Sequence, residues 1–96
     1  PLPPPETAIL GIFPNPFNPG TKIHYALKQE GTVKFKIYNA KGQLINSFSE
    51  THSSPGTYVY EFNGKNKDGN ELASGIYFCS MQFKGKNYVR KMMKTK

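Results

Sequence analysis

A single cysteine, Cys79, is all the thiol chemistry this chain has. It leaves no internal disulfide and no cysteine zinc cluster. Its place in the apolar run Ile76 to Phe83 reads as a small buried hydrophobe rather than a reactive thiol. Acids are scarce: Glu6, Glu30, Glu50, Glu61, Asp68 and Glu71. A glycosidase needs two carboxylates across a cleft, and only Glu61 falls mid-strand, with no second carboxylate in view. His24 falls on a polar strand face and His52 in a loop, neither with a nearby nucleophile, so no triad or metal site is expected. No run of about 20 apolar residues exists, which excludes a membrane-spanning helix. No window sustains a 3.6-residue apolar period. These absences leave no catalytic inventory and no expected cofactor or metal.

What the chain does have is proline, glycine and rings. Its 96 residues hold eight Pro, nine Gly, six Tyr and seven Phe, enough for one small domain with a thin core and many turns. Pro1 to Thr7 reads as an extended polyproline spacer. The expected organisation is a linker over 1–8 and a folded domain over 9–96, cut from a longer protein with its partner domain upstream. Pro14-Asn15-Pro16-Phe17-Asn18-Pro19 can be neither helix nor central strand, because each proline fixes φ and removes a donor. It predicts a rigid corner anchored by Phe13 and Phe17.

Period-two alternation then takes over. Ile9–Phe13 reads as a first strand at an edge. Ile23, Tyr25 and Leu27 share one face of a second, and Val33, Phe35 and Ile37 one face of a third. Asn39 to Gly42 is a hairpin turn. Gln43–Ser49 follows, then Thr57–Asn63 with Tyr58, Tyr60 and Phe62 on one face. Ile76–Phe83 turns Tyr77, Cys79, Met81 and Phe83 together, and Asn87–Met93 closes the chain. Seven short strands predict an all-β antiparallel sandwich, with a small barrel as the alternative. Without the Cys…Trp…Cys of antibody domains, any immunoglobulin likeness is architectural.

The net charge is +7, from twelve Lys and one Arg. Lysines spread over solvent faces of strands account for this and guard sheet edges; a dedicated anion site is the competing reading. Asn66 to Glu71 has oxygen side chains and a glycine, but Gly69 comes too early for an EF-hand, so a turn is the better reading. Tyr38, Tyr58, Tyr60, Tyr77 and Tyr88 would bind polysaccharide only as a planar exposed row; otherwise they cover the core. The aromatic-glycine signature of RNA-binding sheets is absent, and no nucleic-acid partner is expected. The closing strand is basic: Lys86, Arg90, Lys91 and Lys94 flank Met92 and Met93. It reads either as a lysine-guarded edge or as a recognition strand.

Taken in order, these motifs resemble a known family. Pro14 to Pro19 followed by Thr21, Ile23 and Tyr25 resembles the start of the type A C-terminal sorting domains of the type IX secretion system. Those are related to the immunoglobulin-like domain of the flagellar hook-capping protein. Val33 to Asn39 with Gly42, Pro55-Gly56-Thr57-Tyr58, Asn63-Gly64, Asp68-Gly69 and Leu72 to Phe78, including Gly75 and Tyr77, recur in order. Arg90-Lys91-Met92-Met93 resembles the closing strand. Phe62 departs, standing where many relatives carry Trp. The resemblance spans 9–96 and implies an immunoglobulin-like sandwich without catalytic activity. It also implies export through the periplasm to the cell surface or medium, with outer-membrane secretion machinery and an upstream enzyme or adhesin domain as partners. Lys86, Arg90, Lys91, Met92, Met93 and Lys94 are the expected recognition residues, and Pro14 to Pro19 the motif that shapes the fold. The alternatives are a polysaccharide-binding module and a structural spacer, which predicts a large apolar patch and oligomers.

Overall fold

Seven strands account for the regular structure of the computed structural model, which describes residues 6–95. Residues 1–5 of the expected linker and Lys96 lie outside the described residues. The strands are β1 (Ala8–Phe13), β2 (Thr21–Leu27), β3 (Gly31–Asn39), β4 (Leu44–His52), β5 (Gly56–Phe62), β6 (Gly75–Phe83) and β7 (Lys86–Lys94). All pair antiparallel, in one sheet ordered β1-β2-β5 and another ordered β4-β3-β6-β7. Two separate sheets make a sandwich, not a closed barrel.

The alternation dictates which side chains meet between the sheets. Ile23, Tyr25 and Leu27 of β2 face Val33, Phe35 and Ile37 of β3 and Tyr77, Cys79, Met81 and Phe83 of β6, all buried. Each large apolar side chain so buried contributes about 1.5–3 kcal/mol. Two strands enter this core by the same device. Gly56 and Gly75 hold φ of 157° and 152°, a conformation that disfavours a Cβ. Two residues later a tyrosine reaches back four positions: the Tyr58 hydroxyl donates to the Ser54 carbonyl at 2.6 Å, and that of Tyr77 to the Ala73 carbonyl at 2.7 Å.

Rings close the side of the sandwich where β4 and β5 approach. Phe48 stacks on Tyr60 with centroids 4.1 Å apart, and His52 on Tyr58 at 3.6 Å. The Tyr25 hydroxyl lies 2.6 Å from His52 Nε2. His52 is thus the last residue of β4 rather than part of a loop. β4 outruns its expected end at Ser49 because β3 pairs with it as far as Gly31–His52, with the Thr32 and Thr51 hydroxyls 3.0 Å apart. A strand held by backbone pairing alone needs no apolar alternation, which is why Ser49 to Thr51 does not read as one.

Candidate functional site

β7 is an edge strand, so one side of its backbone has no strand beside it. The proline corner supplies what is missing. The Met93 amide donates to Asn15 Oδ1 at 2.9 Å, and Asn15 Nδ2 to the Lys91 carbonyl at 3.4 Å. The Phe17 amide donates to the Met93 carbonyl at 2.9 Å, and the Thr95 amide to the Phe17 carbonyl at 3.0 Å. Phe17 therefore forms a one-residue parallel bridge to Lys94. The two ends of the chain's motif series, far apart in sequence, are one structure. The edge groups at Lys91 to Thr95 are satisfied by it, which matters because an open edge invites pairing.

The corner is held from below. Phe17 is fully buried and meets Phe62 edge-on at 6.2 Å. Thr21 donates its hydroxyl to the Pro14 carbonyl at 2.7 Å. Gly64, at φ 76°, packs so closely on Pro19 that a Cβ would run into the Pro19 carbonyl. Phe13 is not the second anchor: it is 60% exposed, lying edge-on to His24 at 5.5 Å. As the last residue of β1 it pairs with Lys22 on the outward side, so strand parity, not the prolines, decides where its ring points.

The six expected recognition residues divide into two groups. Lys86, Lys91 and Met93 are exposed. Arg90 is exposed as well, but its guanidinium donates to the Ile9 carbonyl at 2.8 Å and ties β7 to β1. Met92 and Lys94 are buried, at 1% and 3% exposure. The Lys94 ammonium spends its donors on the Thr95 carbonyl at 2.9 Å, Asn18 Oδ1 at 3.3 Å and Glu71 Oε1 at 3.4 Å. A lysine so placed holds the corner and the end of β7 together, and all three of its donors are used. Pro14, Asn15, Pro16, Asn18 and Pro19 are exposed around the buried Phe17, while Gly75 and Tyr77 begin β6.

Other sequence candidates have structural places. Cys79 is buried, and burial pushes its thiol up to about 12. Burial, with the Glu50 carboxylate adding to it, raises the Tyr25 hydroxyl well above the ordinary tyrosine range. Asn66 Oδ1 accepts from the Asp68 and Asn70 amides at 3.0 and 2.9 Å, so the loop's own backbone uses the oxygen a cation would need. Tyr77 is buried and Tyr38, Tyr58, Tyr60 and Tyr88 are half-buried. Tyr58 and Tyr60 face between the sheets, so the described tyrosines make no planar exposed row. The outward face of the four-stranded sheet, bearing Tyr38, Leu44, Ile76 and Phe78, was not singled out by sequence. Its signal is present in β6, where both parities carry apolar residues.

Strand order, the corner anchored by Phe17 and the tyrosine devices define an immunoglobulin-like β-sandwich. The FlgD Ig-like domain family matches residues 18–86, and the chain belongs to that family. No curated protein matches the chain. Among solved structures, dimeric latent PorU from Porphyromonas gingivalis is similar over 93% of this chain, with 20% identity and a TM-score of 0.75. PorZ, described as an essential bacterial surface component of the type-IX secretion system of that organism, is similar over 90%, with 22% identity and a TM-score of 0.60. FlgD from Xanthomonas campestris is similar over 94%, with 21% identity and a TM-score of 0.65. The chain spans 9% of PorU, 11% of PorZ and 62% of that FlgD. These likenesses concern the fold.

Proposed function

We propose that this domain is a non-catalytic C-terminal sorting domain of the type IX secretion system, carrying an upstream enzyme or adhesin to the cell surface or medium. The observation that carries the reading is the junction of corner and tail. The opening and closing motifs of the resemblance, Asn15–Phe17 and Lys91–Thr95, bond directly to each other. The fold shared with PorZ supports the same reading. Within it, the exposed Lys86, Lys91 and Met93 are offered to the outer-membrane machinery, while Arg90, Met92 and Lys94 hold the strand in place.

The test is a fusion of the full chain to a reporter with a cleavable signal peptide, in a host possessing the system. The expected result is reporter on the surface or in the medium. Retention of the folded fusion in the periplasm refutes the proposal. Deleting the tail is a poor variant, because it also empties the Met92 site in the core; Lys86→Glu with Lys91→Glu leaves the core intact.

A second reading has a specific observation behind it. The family match and the likeness to FlgD, described as giving insight into the hook capping essential for flagellar assembly, favour an assembly domain that packs against neighbouring subunits. It predicts oligomers in solution, which sedimentation of the purified chain detects. The polysaccharide reading has no tyrosine platform to stand on.

A further inference from the structure

Strand register fixes what lies on the outer face of the four-stranded sheet. Leu44, Tyr38, Phe78 and Lys91 sit side by side across β4, β3, β6 and β7. Ile76 and Met93 form the adjoining row, and Val89 flanks the small Ser80 on the other side. Of the seven large apolar side chains exposed in the described residues, four are on this one face: Leu44, Ile76, Val89 and Met93. Clustering of that kind is unusual for a surface with nothing to bind.

The charge on the face has one sign. Lys34 and Lys36 of β3 and Lys91 of β7 point outward, and the paired rows of the described strands place no Asp or Glu beside them. The far half is polar and carries two of these charges, with Lys34 in register with Ser49, Gln82 and Asn87, and Lys36 with Ser47. The face is thus an aromatic and aliphatic half bordered by a basic, polar half, and apolar area bordered by polar groups is a feature of protein interfaces.

We propose that this face is the docking surface of the domain, and that its occupant is a protein surface with a matching apolar area bordered by carboxylates. The inference rests on the sorting reading, and places the occupant in the export machinery. A second copy of this chain is disfavoured, since face-to-face pairing sets three lysines against three more. A lipid surface is disfavoured too, because the serine and amide groups of the far half would enter hydrocarbon without partners. Four strands about 4.8 Å apart, over seven residues of roughly 3.3 Å rise, give on the order of 400 Å² in projection. That size suits a transient contact that must later release its cargo.

The experiment uses the reporter fusion of the full chain. Leu44→Ser with Ile76→Ser removes apolar surface, and Lys34→Glu with Lys36→Glu reverses charge. None of these residues is on β7, so their effect separates the sheet face from the closing strand. Val59→Ser, on the outward face of the other sheet, is the control. Melting temperatures of the purified chains verify folding, and the charge pair stands in if the serine pair fails to fold. The expected result is a loss of export of about tenfold or more in both pairs, with the control unchanged. Export of both pairs at the level of the unsubstituted fusion overturns the docking surface and leaves the sorting reading standing. No export of the unsubstituted fusion overturns both. A dimer in sedimentation, or binding to phosphatidylglycerol-containing vesicles, that the Leu44 and Ile76 substitutions abolish overturns the assigned occupant in favour of a second copy or of lipid.

Discussion

Gly64 has φ 76° and its α-carbon lies against the Pro19 carbonyl. Alanine there meets both a conformational penalty and a clash with backbone that cannot rotate away. Gly64→Ala is expected to cost at least about 2 kcal/mol in urea unfolding, whereas Gly42→Ala, with open space around its Cβ, pays only for its φ. Cys79 gives a second prediction at this scale. Its thiol is raised in the fold by burial, so the folded state holds the proton more tightly than the unfolded chain. The contribution to stability is whole below about pH 9 and is lost as pH rises toward about 12. Tyr25 and Tyr60, raised by burial and then by Glu50, act in the same direction above pH 10. Denaturant midpoints should fall between pH 9 and 11, and Cys79 should resist alkylation until denaturant is added. The alternation made Cys79's burial legible beforehand. That of Lys94 was not, because it depends on Asn18, 76 residues away.

The strands themselves were readable wherever one face is apolar, as in β2, β3, β5 and β6. β4 was readable only in part, since its far end carries Ser, Glu and Thr and is held by pairing with β3. The proline corner was legible as a rigid break, but not as the cover of β7. Proline chemistry says what a segment cannot pair with, and here the non-proline residues do the pairing, Phe17 by its backbone and Asn15 by its side-chain amide. Loosening it should act locally. Asn15→Ala removes the acceptor of the Met93 amide and is expected to cost about 1 kcal/mol. Amide exchange at Met93 and Thr95 should quicken, while Val33 and Ile37 in the centre of the sheet keep their protection. Phe17→Ala, which empties a fully buried site, is expected to cost about 3–5 kcal/mol.

At the scale of the molecule, strand count was legible and strand order was not. Nothing in periodicity says that β5 leaves its neighbours to join β2, or that β6 joins β3. Those pairings bring together residues distant in sequence, so folding should be slow for the chain's size, in the range of milliseconds to seconds by stopped-flow fluorescence of the tyrosines. The outward face of the four-stranded sheet was hidden for the same reason, since its rows draw on four separated segments.

The bonds between Asn15–Phe17 and Lys91–Thr95 also set an order of events. A chain emerging from a ribosome or a membrane pore cannot close this sandwich until its residue 95 has come out. Until then Phe17 has no backbone partner and the Met92 site stands empty. The closed fold thereby certifies that synthesis reached the last strand, since any chain ending before it leaves both sites open.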